Sequence, residues 1–358
     1  MKQIFFTPGP SQLYPTCQTH IEEAFEADIA SISHRGAAFH TLCAETTAAL
    51  RALLNIPVTH RIFFVGSATE AMERIIQNCV EKHSYHSVNG AFSRLFYTVA
   101  RNLGKEAQLR EVEYGKGYEA DDIHAGNSEL ICVTQNETST GVSIPMDTVY
   151  AIKKAYPNVL LALDIVSSAP YADVDFTKVD CVFFSVQKGF GLPAGLGVLI
   201  VSPDAVARAL RLEKKGVQVG SYHRFSSLLR YADKNETPET PNVLAIYLLG
   251  KIANDMMRSG MVNLRKETER KAAILYGFLM KNDRYRPFVA DERLRSQTVI
   301  VAEVKNGSEY VIKKLADHGC IVGNGYKEFK GRHIRIANFP AHSINQVRQL
   351  VVELRQAV

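Results

Sequence analysis

A chain of 358 residues can bury a sizeable core and is long for one compact domain. Its 46% hydrophobic and 22% charged content is that of an ordinary globular protein, and no apolar run reaches the roughly 18 residues of a membrane span. The net charge of +5 is spread over 42 basic and 37 acidic residues without a Lys/Arg block, which argues against nucleic-acid binding and suits small anionic substrates.

The opening MKQIFFTPGP holds a short apolar stretch broken by two prolines, unlike a secretory leader, so a cytoplasmic location is expected. SHRG (33–36) is a compact cationic cluster outside regular structure. IFFVG (62–66) reads as a buried strand, and Ala71, Met72, Ile75, Ile76, Cys79 and Val80 then recur at helical spacing. YHSVN (85–89) reads as a short strand before a helix over about 92–102. ELICVT (129–134) predicts another strand, followed by a helix over about 146–155. VLLALD (159–164), CVFFSV (181–186) and GVLIVS (197–202) complete the strands. Such alternation implies a mostly parallel sheet covered on both faces, with ligands at the carboxyl ends of its strands.

The stretch 203–240 reads as more polar and less regular, ending in the exposed loop DKNETPETP (233–241). Helices are expected over about 242–258, stopped by Gly260, and over about 264–281. The tail alternates strand (297–304), helix (309–318) and strand (332–338), and its last helix starts at Ser343 with a capping box to Gln346. The six cysteines are scattered without a CxxC, and Cys132 and Cys181 read as small buried hydrophobes, so no disulfide is expected. His83 and His86 lack a partner that would complete a metal set, and no metal is expected.

Lys188 closes the CVFFSV run and opens onto KGFGLPAGLG (188–197), an unusual place for a solvated charge. An amine there can lose its proton by desolvation and attack a carbonyl. Asp164 ends the neighbouring apolar run. A lysine and an acid at two strand ends suit pyridoxal 5′-phosphate (PLP), the lysine as Schiff-base amine and the acid as partner of the ring nitrogen. Asp164 alone would equally start a loop or cap a helix. In the turn VGSATEAM (65–72), Ala68 and Thr69 suit a phosphate at a helix N-terminus, or simply a βα turn with Thr69 as N-cap. Phe92 can stack on a flat ring or belong to the core. Thr138, in QNETSTG (135–141), can bond a phenolic oxygen or merely sit in a polar loop. His34 and Arg35 can hold a substrate anion or face solvent. Arg335 alternates with Ile334 and Ile336, so it points away from them, toward a carboxylate or toward solvent.

The order of these features, from small-residue turn through aromatic, Thr loop, Asp and Lys to Arg, resembles the class V aminotransferases of the fold-type I PLP enzymes. The likeness runs from FTPGPS (6–11) to RIAN (335–338). SHRG resembles the substrate-binding His-Arg pair of phosphoserine aminotransferases, whereas NGAF and TSTG also resemble the alanine–glyoxylate branch. The resemblance implies that Lys188 carries the Schiff base and shuttles the proton, and that Asp164 keeps the pyridine protonated. It puts Phe92 where the family usually has a stacking tryptophan, a residue this chain lacks. Ala68, Thr69 and Gln187 would surround the phosphate, with Thr138 near the ring oxygen. Thr237 would reach the phosphate of a neighbouring subunit, which implies a homodimer. Arg335 would bind the α-carboxylate, and His34 and Arg35 the distal anion across the interface. Two departures stand out. Thr69 replaces an arginine common in phosphoserine aminotransferases, which bears on phosphoserine itself, and Glu236 precedes Thr237 where an asparagine is usual.

The expected fold is thus α/β of fold-type I: a large domain (16–258) with a mostly parallel, seven-stranded-type sheet, and a small α+β domain (1–15 and 259–358). The expected reaction is 3-phosphohydroxypyruvate plus L-glutamate to O-phospho-L-serine plus 2-oxoglutarate, with no nucleic-acid or membrane partner. The rivals are an alanine–glyoxylate or serine–pyruvate aminotransferase, a cysteine desulfurase using Cys320, and a non-enzymatic α/β binding protein.

Overall fold

The computed structural model describes residues 3–357. The chain begins with strand β1 (Ile4–Phe6) and helices α1 (Cys17–Glu26) and α2 (Ala37–Leu54). Phe39, Leu42, Cys43, Thr46, Ala49, Leu50 and Leu53 form the buried stripe of α2, spaced three and four apart as an amphipathic helix requires. Then come β2 (Arg61–Val65), α3 (Ala68–Cys79), β3 (His83–Val88), α4 (Ala91–Asn102) and β4 (Glu106–Glu111). Strand β5 (Leu130–Thr134) leads into a small hairpin, β6 (Asn136–Glu137) and β7 (Val142–Ser143). Helix α5 (Met146–Ala155) precedes β8 (Leu160–Asp164), β9 (Cys181–Ser185) and β10 (Gly197–Val201).

Seven of these strands form one sheet in the order β2-β10-β9-β8-β5-β3-β4. Strand β10 runs antiparallel to both neighbours and every other pairing is parallel. Side chains alternate across the pleat, and both faces are covered. Phe64, Val133, Leu163, Phe184 and Val198 enter one core, and Phe63, Cys132, Ala162, Phe183 and Leu199 the other. This is why the strands read as unbroken apolar runs. Each fully buried Val, Leu or Phe among them contributes roughly 1.5–3 kcal/mol.

The region expected to be irregular contains two helices, α6 (Pro203–Lys214) and α7 (Phe225–Ala232). Helix α6 buries Ala205, Ala209 and Leu212, with Ser202 capping and Pro203 in the first turn. Its apolar stripe is narrow and lies among charges, so the sequence average conceals it. Strand β4 also escaped the sequence reading, being an edge strand with alternating exposure and little apolar content.

Helices α8 (Val243–Ser259) and α9 (Met261–Leu279) meet at Gly260, as anticipated. The second sheet has the order β1-β13-β14-β12-β11. It comprises β11 (Tyr285–Pro287), β12 (Val299–Val304), β13 (Cys320–Asn324) and β14 (His333–Ala337), with α10 (Glu309–Asp317) between β12 and β13 and α11 (Ile344–Gln356) after β14. The Ser343–Gln346 capping box is formed. Ile300, Ile334, Ile336, Leu275, Leu350 and Leu354 belong to the core of this layer. No helix among the described residues is long and apolar enough to cross a membrane.

Candidate active site

The parallel strands β2, β3, β5, β8 and β9 all end at one edge of the large sheet, which gathers residues from distant parts of the chain. A cavity of about 120 Å³ opens there. Its lining includes Ala68, Thr69, Phe92, Thr138, Asp164, Gln187 and Lys188. All seven residues that the sequence suggested for a cofactor within one protomer therefore meet.

Lys188 is 7% exposed and Asp164 is 2% exposed. The Lys188 amine donates to Thr138 Oγ1 at 3.2 Å and lies 5.2 Å from the centre of the Phe92 ring. Phe92 is half-buried, and its ring meets Tyr326 at 5.5 Å rather than packing into the core. Gly9, from the FTPGPS segment, has φ +123°, and a Cβ there would lie 2.8 Å from Lys188 Cε. Only glycine allows this backbone to lean on the lysine stem.

Burial pulls the Lys188 amine below the usual lysine range, opposed by the charge of Asp164, assisted by Arg335 and opposed again by Glu137. Burial likewise pushes the Asp164 carboxyl above the usual carboxylate range, while the Val166 N–H, the Lys188 charge and, with opposite sign, Glu137 act in turn. The Val166 N–H donates to Asp164 Oδ1 at 2.8 Å, which fixes the carboxyl. A low-pKa amine and a fixed acid lining one cavity are the chemistry a carbonyl cofactor with a basic ring nitrogen needs.

The turn before α3 is capped by Ser67, not by Thr69: Ser67 Oγ accepts the Glu70 N–H at 3.1 Å. Thr69 is exposed at the mouth of the cavity, in a first helical turn whose N–H groups lack intrahelical partners. Ser185 Oγ accepts the Ala68 N–H at 2.8 Å and ties this turn to the end of β9. Asn136 also lines the cavity, donating to Ser167 Oγ at 2.7 Å and Thr298 Oγ1 at 3.3 Å. The sequence reading passed over Gly9, Ser67, Asn136 and Ser185. FTPGPS and the two strand-end loops were visible signals, but the partners lie far away in the chain.

Arg335, half-buried on β14, stands outside the cavity lining yet near enough for its charge to act on Lys188. Its Nε donates to Asn324 O at 2.7 Å and its guanidinium lies 5.3 Å from the Tyr326 ring centre. Ile334 and Ile336 point into the core, as the alternation required. His34, Arg35 and Thr237 do not line the cavity. Arg35 instead pairs with Glu236 Oε2 at 2.6 Å and donates to Thr237 O at 2.7 Å and Pro238 O at 3.1 Å. Glu236 also meets His40 Nε2 at 3.1 Å. Thr237 is 3% exposed and its hydroxyl donates to Glu239 O at 2.7 Å. Cys320 is fully buried at the start of β13, and burial pushes its thiol up to about 11. A mobile sulfur nucleophile is not available there.

The sequence pattern of the family described as aminotransferase class-V matches residues 4–333. A phosphoserine aminotransferase of Rhodococcus opacus is 26% identical over 349 residues, covering 96% of this chain and 92% of the relative. The crystal structure of a phosphoserine aminotransferase from Cytophaga hutchinsonii superimposes with a TM-score of 0.97 at 44% identity, covering 99% of this chain and 98% of that one. An alanine–glyoxylate aminotransferase from Nostoc shares the fold with a TM-score of 0.87 at 21% identity, covering 100% and 95% of the two chains. This chain belongs to the class-V aminotransferase family. It is an aminotransferase, and its cofactor is pyridoxal 5′-phosphate. The buried amine, the buried acid, the open ring of Phe92 and the helix terminus around one cavity fit that cofactor.

Proposed function

We propose that this aminotransferase interconverts 3-phosphohydroxypyruvate and L-glutamate with O-phospho-L-serine and 2-oxoglutarate. The likeness to the Cytophaga enzyme along nearly the whole chain carries this reading. When bound, PLP supplies an aldehyde that captures amines and a pyridine ring that accepts the electrons freed at the substrate Cα.

Lys188 Nζ would hold the aldehyde carbon and, once released from it by the substrate amine, would move the proton at the substrate Cα. Its burial supports this role, because a neutral amine is a base and a nucleophile. Asp164 would keep a proton at the ring nitrogen. Phe92 would cover one ring face, and Thr138 would orient the ring oxygen as it already orients the Lys188 amine, which it bonds. Thr69 and Ala68 offer the positive end of α3 to the phosphate, with Gln187 beside them. Arg335 grips the substrate α-carboxylate. A charge-assisted bond of this kind contributes on the order of 1.5–3 kcal/mol.

The working unit in this reading is a homodimer with shared sites. Thr237 would reach the phosphate in the partner's cavity, and His34 and Arg35 would face the distal anionic group there. The division into residues 16–258 and 1–15 with 259–358 belongs to the same reading, supported by the two separate sheets. A cytoplasmic location is supported by six buried free thiols.

Half-reactions of the PLP form with phosphoserine, serine, alanine and glutamate test the assignment. Phosphoserine and glutamate should react at least about tenfold more efficiently than serine and alanine, the equivalent of one satisfied anion contact. Preference for alanine with glyoxylate as acceptor would overturn it in favour of the rival aminotransferase, a result that Thr69 in place of an arginine would then explain.

A further inference from the structure

Glu137 is completely buried in the hairpin between β5 and α5, yet no cation bonds it among the described residues. Neutral donors surround its carboxylate instead. Oε2 accepts from the Phe92 N–H at 3.1 Å, the Ser93 N–H at 2.9 Å and Ser93 Oγ at 3.0 Å. Oε1 accepts from the Ser139 N–H at 3.0 Å and Ser139 Oγ at 2.6 Å. Ser139 Oγ in turn accepts the Ala91 N–H at 2.9 Å. The first three N–H groups of α4, those of Ala91, Phe92 and Ser93, are therefore all taken by two residues of another loop.

That loop is the one carrying Thr138. Glu137 and Ser139 flank it directly, so the carboxylate binds the start of α4 to both sides of the hydroxyl that meets Lys188. Space confirms how close the two loops approach. A Cβ on Gly90 would fall 2.3 Å from Glu137 Cγ and 2.6 Å from Ser139 Oγ. The positive end of α4 stabilises the buried charge, as helix termini do for anions. An ordinary serine or aspartate at the N-cap would satisfy one of these donors locally. A carboxylate delivered from 45 residues away satisfies them and also fixes the distance between two parts of the site.

We propose that Glu137 is a positioning residue, which locks Phe92 and Thr138 into one unit on the cofactor ring. The proposal rests on the reading that these two residues contact PLP. It assigns Glu137 no contact with cofactor or substrate. Its action runs through the backbone of Phe92 and through the loop of Thr138.

The test is a double-mutant cycle read by cofactor affinity and visible circular dichroism, not by turnover. Glu137→Gln points an amide N–H at the N–H donors of α4. It should weaken PLP binding about tenfold, the scale of one charge-assisted hydrogen bond, and reduce the dichroic band of bound cofactor. In a Phe92→Ala background the same change should cost clearly less than about tenfold, because only the loop of Thr138 is left for it to position. Full additivity of the two losses would overturn the proposal, since a merely structural or through-space role would not depend on Phe92. If Glu137→Gln fails to fold, Ser139→Ala with Phe92→Ala provides the same cycle through the other half of the cap. Lys188→Ala is the separate control: if borohydride still fixes PLP to that variant, the reading of the site fails, whatever the cycle gives.

Discussion

Lys188 and Asp164 are groups that a fold selected for stability alone would replace with apolar ones. Removing an ion from water in a protein interior costs on the order of several kcal/mol after relaxation. Both are buried, both are displaced from their ordinary titration ranges mainly by that burial, and they face one cavity. Asp164→Asn separates stability from function, because it keeps the shape and removes the charge. The cofactor-free variant should melt no lower than the parent, while transamination should fall at least about 10²-fold, or roughly 3 kcal/mol of lost transition-state stabilisation. A variant that loses melting temperature but retains its rate would show that the carboxylate is structural. Lys188 and Asp164 were legible from the sequence because a charge at the end of an apolar run is conspicuous. Glu137 was not: its neighbours in QNETSTG are polar, and nothing local marks it as the buried cap of a helix 45 residues earlier.

At the level of elements, the strands β2, β5, β8, β9 and β10 were readable because both faces of their sheet are covered. The sequence reading assigns no helix over α1 or α2, although α2 carries a clear apolar stripe; α6 is hidden because its buried stripe is narrow, rich in small residues and set among charges. The turn before α3 carries a further feature that only the fold reveals. His223, 2% exposed, bridges Glu70 in the first turn of α3 and Glu239 beyond Thr237, the latter at 2.9 Å. Burial works against the charged ring, but the hydrogen bonds it donates to the Glu239 and Glu70 carboxylates outweigh it and push its pKa up to about 9 from the ordinary 6.5. A raised folded-state pKa gives stability that is complete below about pH 6.5 and lost as pH rises through about 9. The shift corresponds to roughly 3 kcal/mol. His223→Gln should therefore lower the melting temperature at pH 6 and have little effect at pH 10. An equal difference at both values would rule out the ionic bridge and leave only packing.

The whole molecule poses the question that one chain leaves open. Arg35 and Thr237 are hydrogen-bonded to each other's segment and stand outside the Lys188 cavity of their own protomer. A twofold dimer would bring this unit to the partner's cavity, since such an interface repeats the same contact in both directions. The arrangement is testable without a structure of the assembly. Lys188→Ala removes the amine of its own cavity, and Arg35→Ala removes a group that, on this reading, serves the other cavity. Each homodimer should be inactive or nearly so. Refolded together, the two variants form mixed dimers in which one cavity lacks both groups and the other has Lys188 from one chain and Arg35 from its partner. With random pairing, half of the dimers are mixed and one of their two cavities is intact, so the mixture should recover about a quarter of the parent activity. If Arg35 instead served its own cavity, every cavity in every dimer would lack one group and mixing would restore nothing. Recovery on mixing therefore requires that the site be completed by a second copy of the chain, and its failure would return Arg35 to its own protomer.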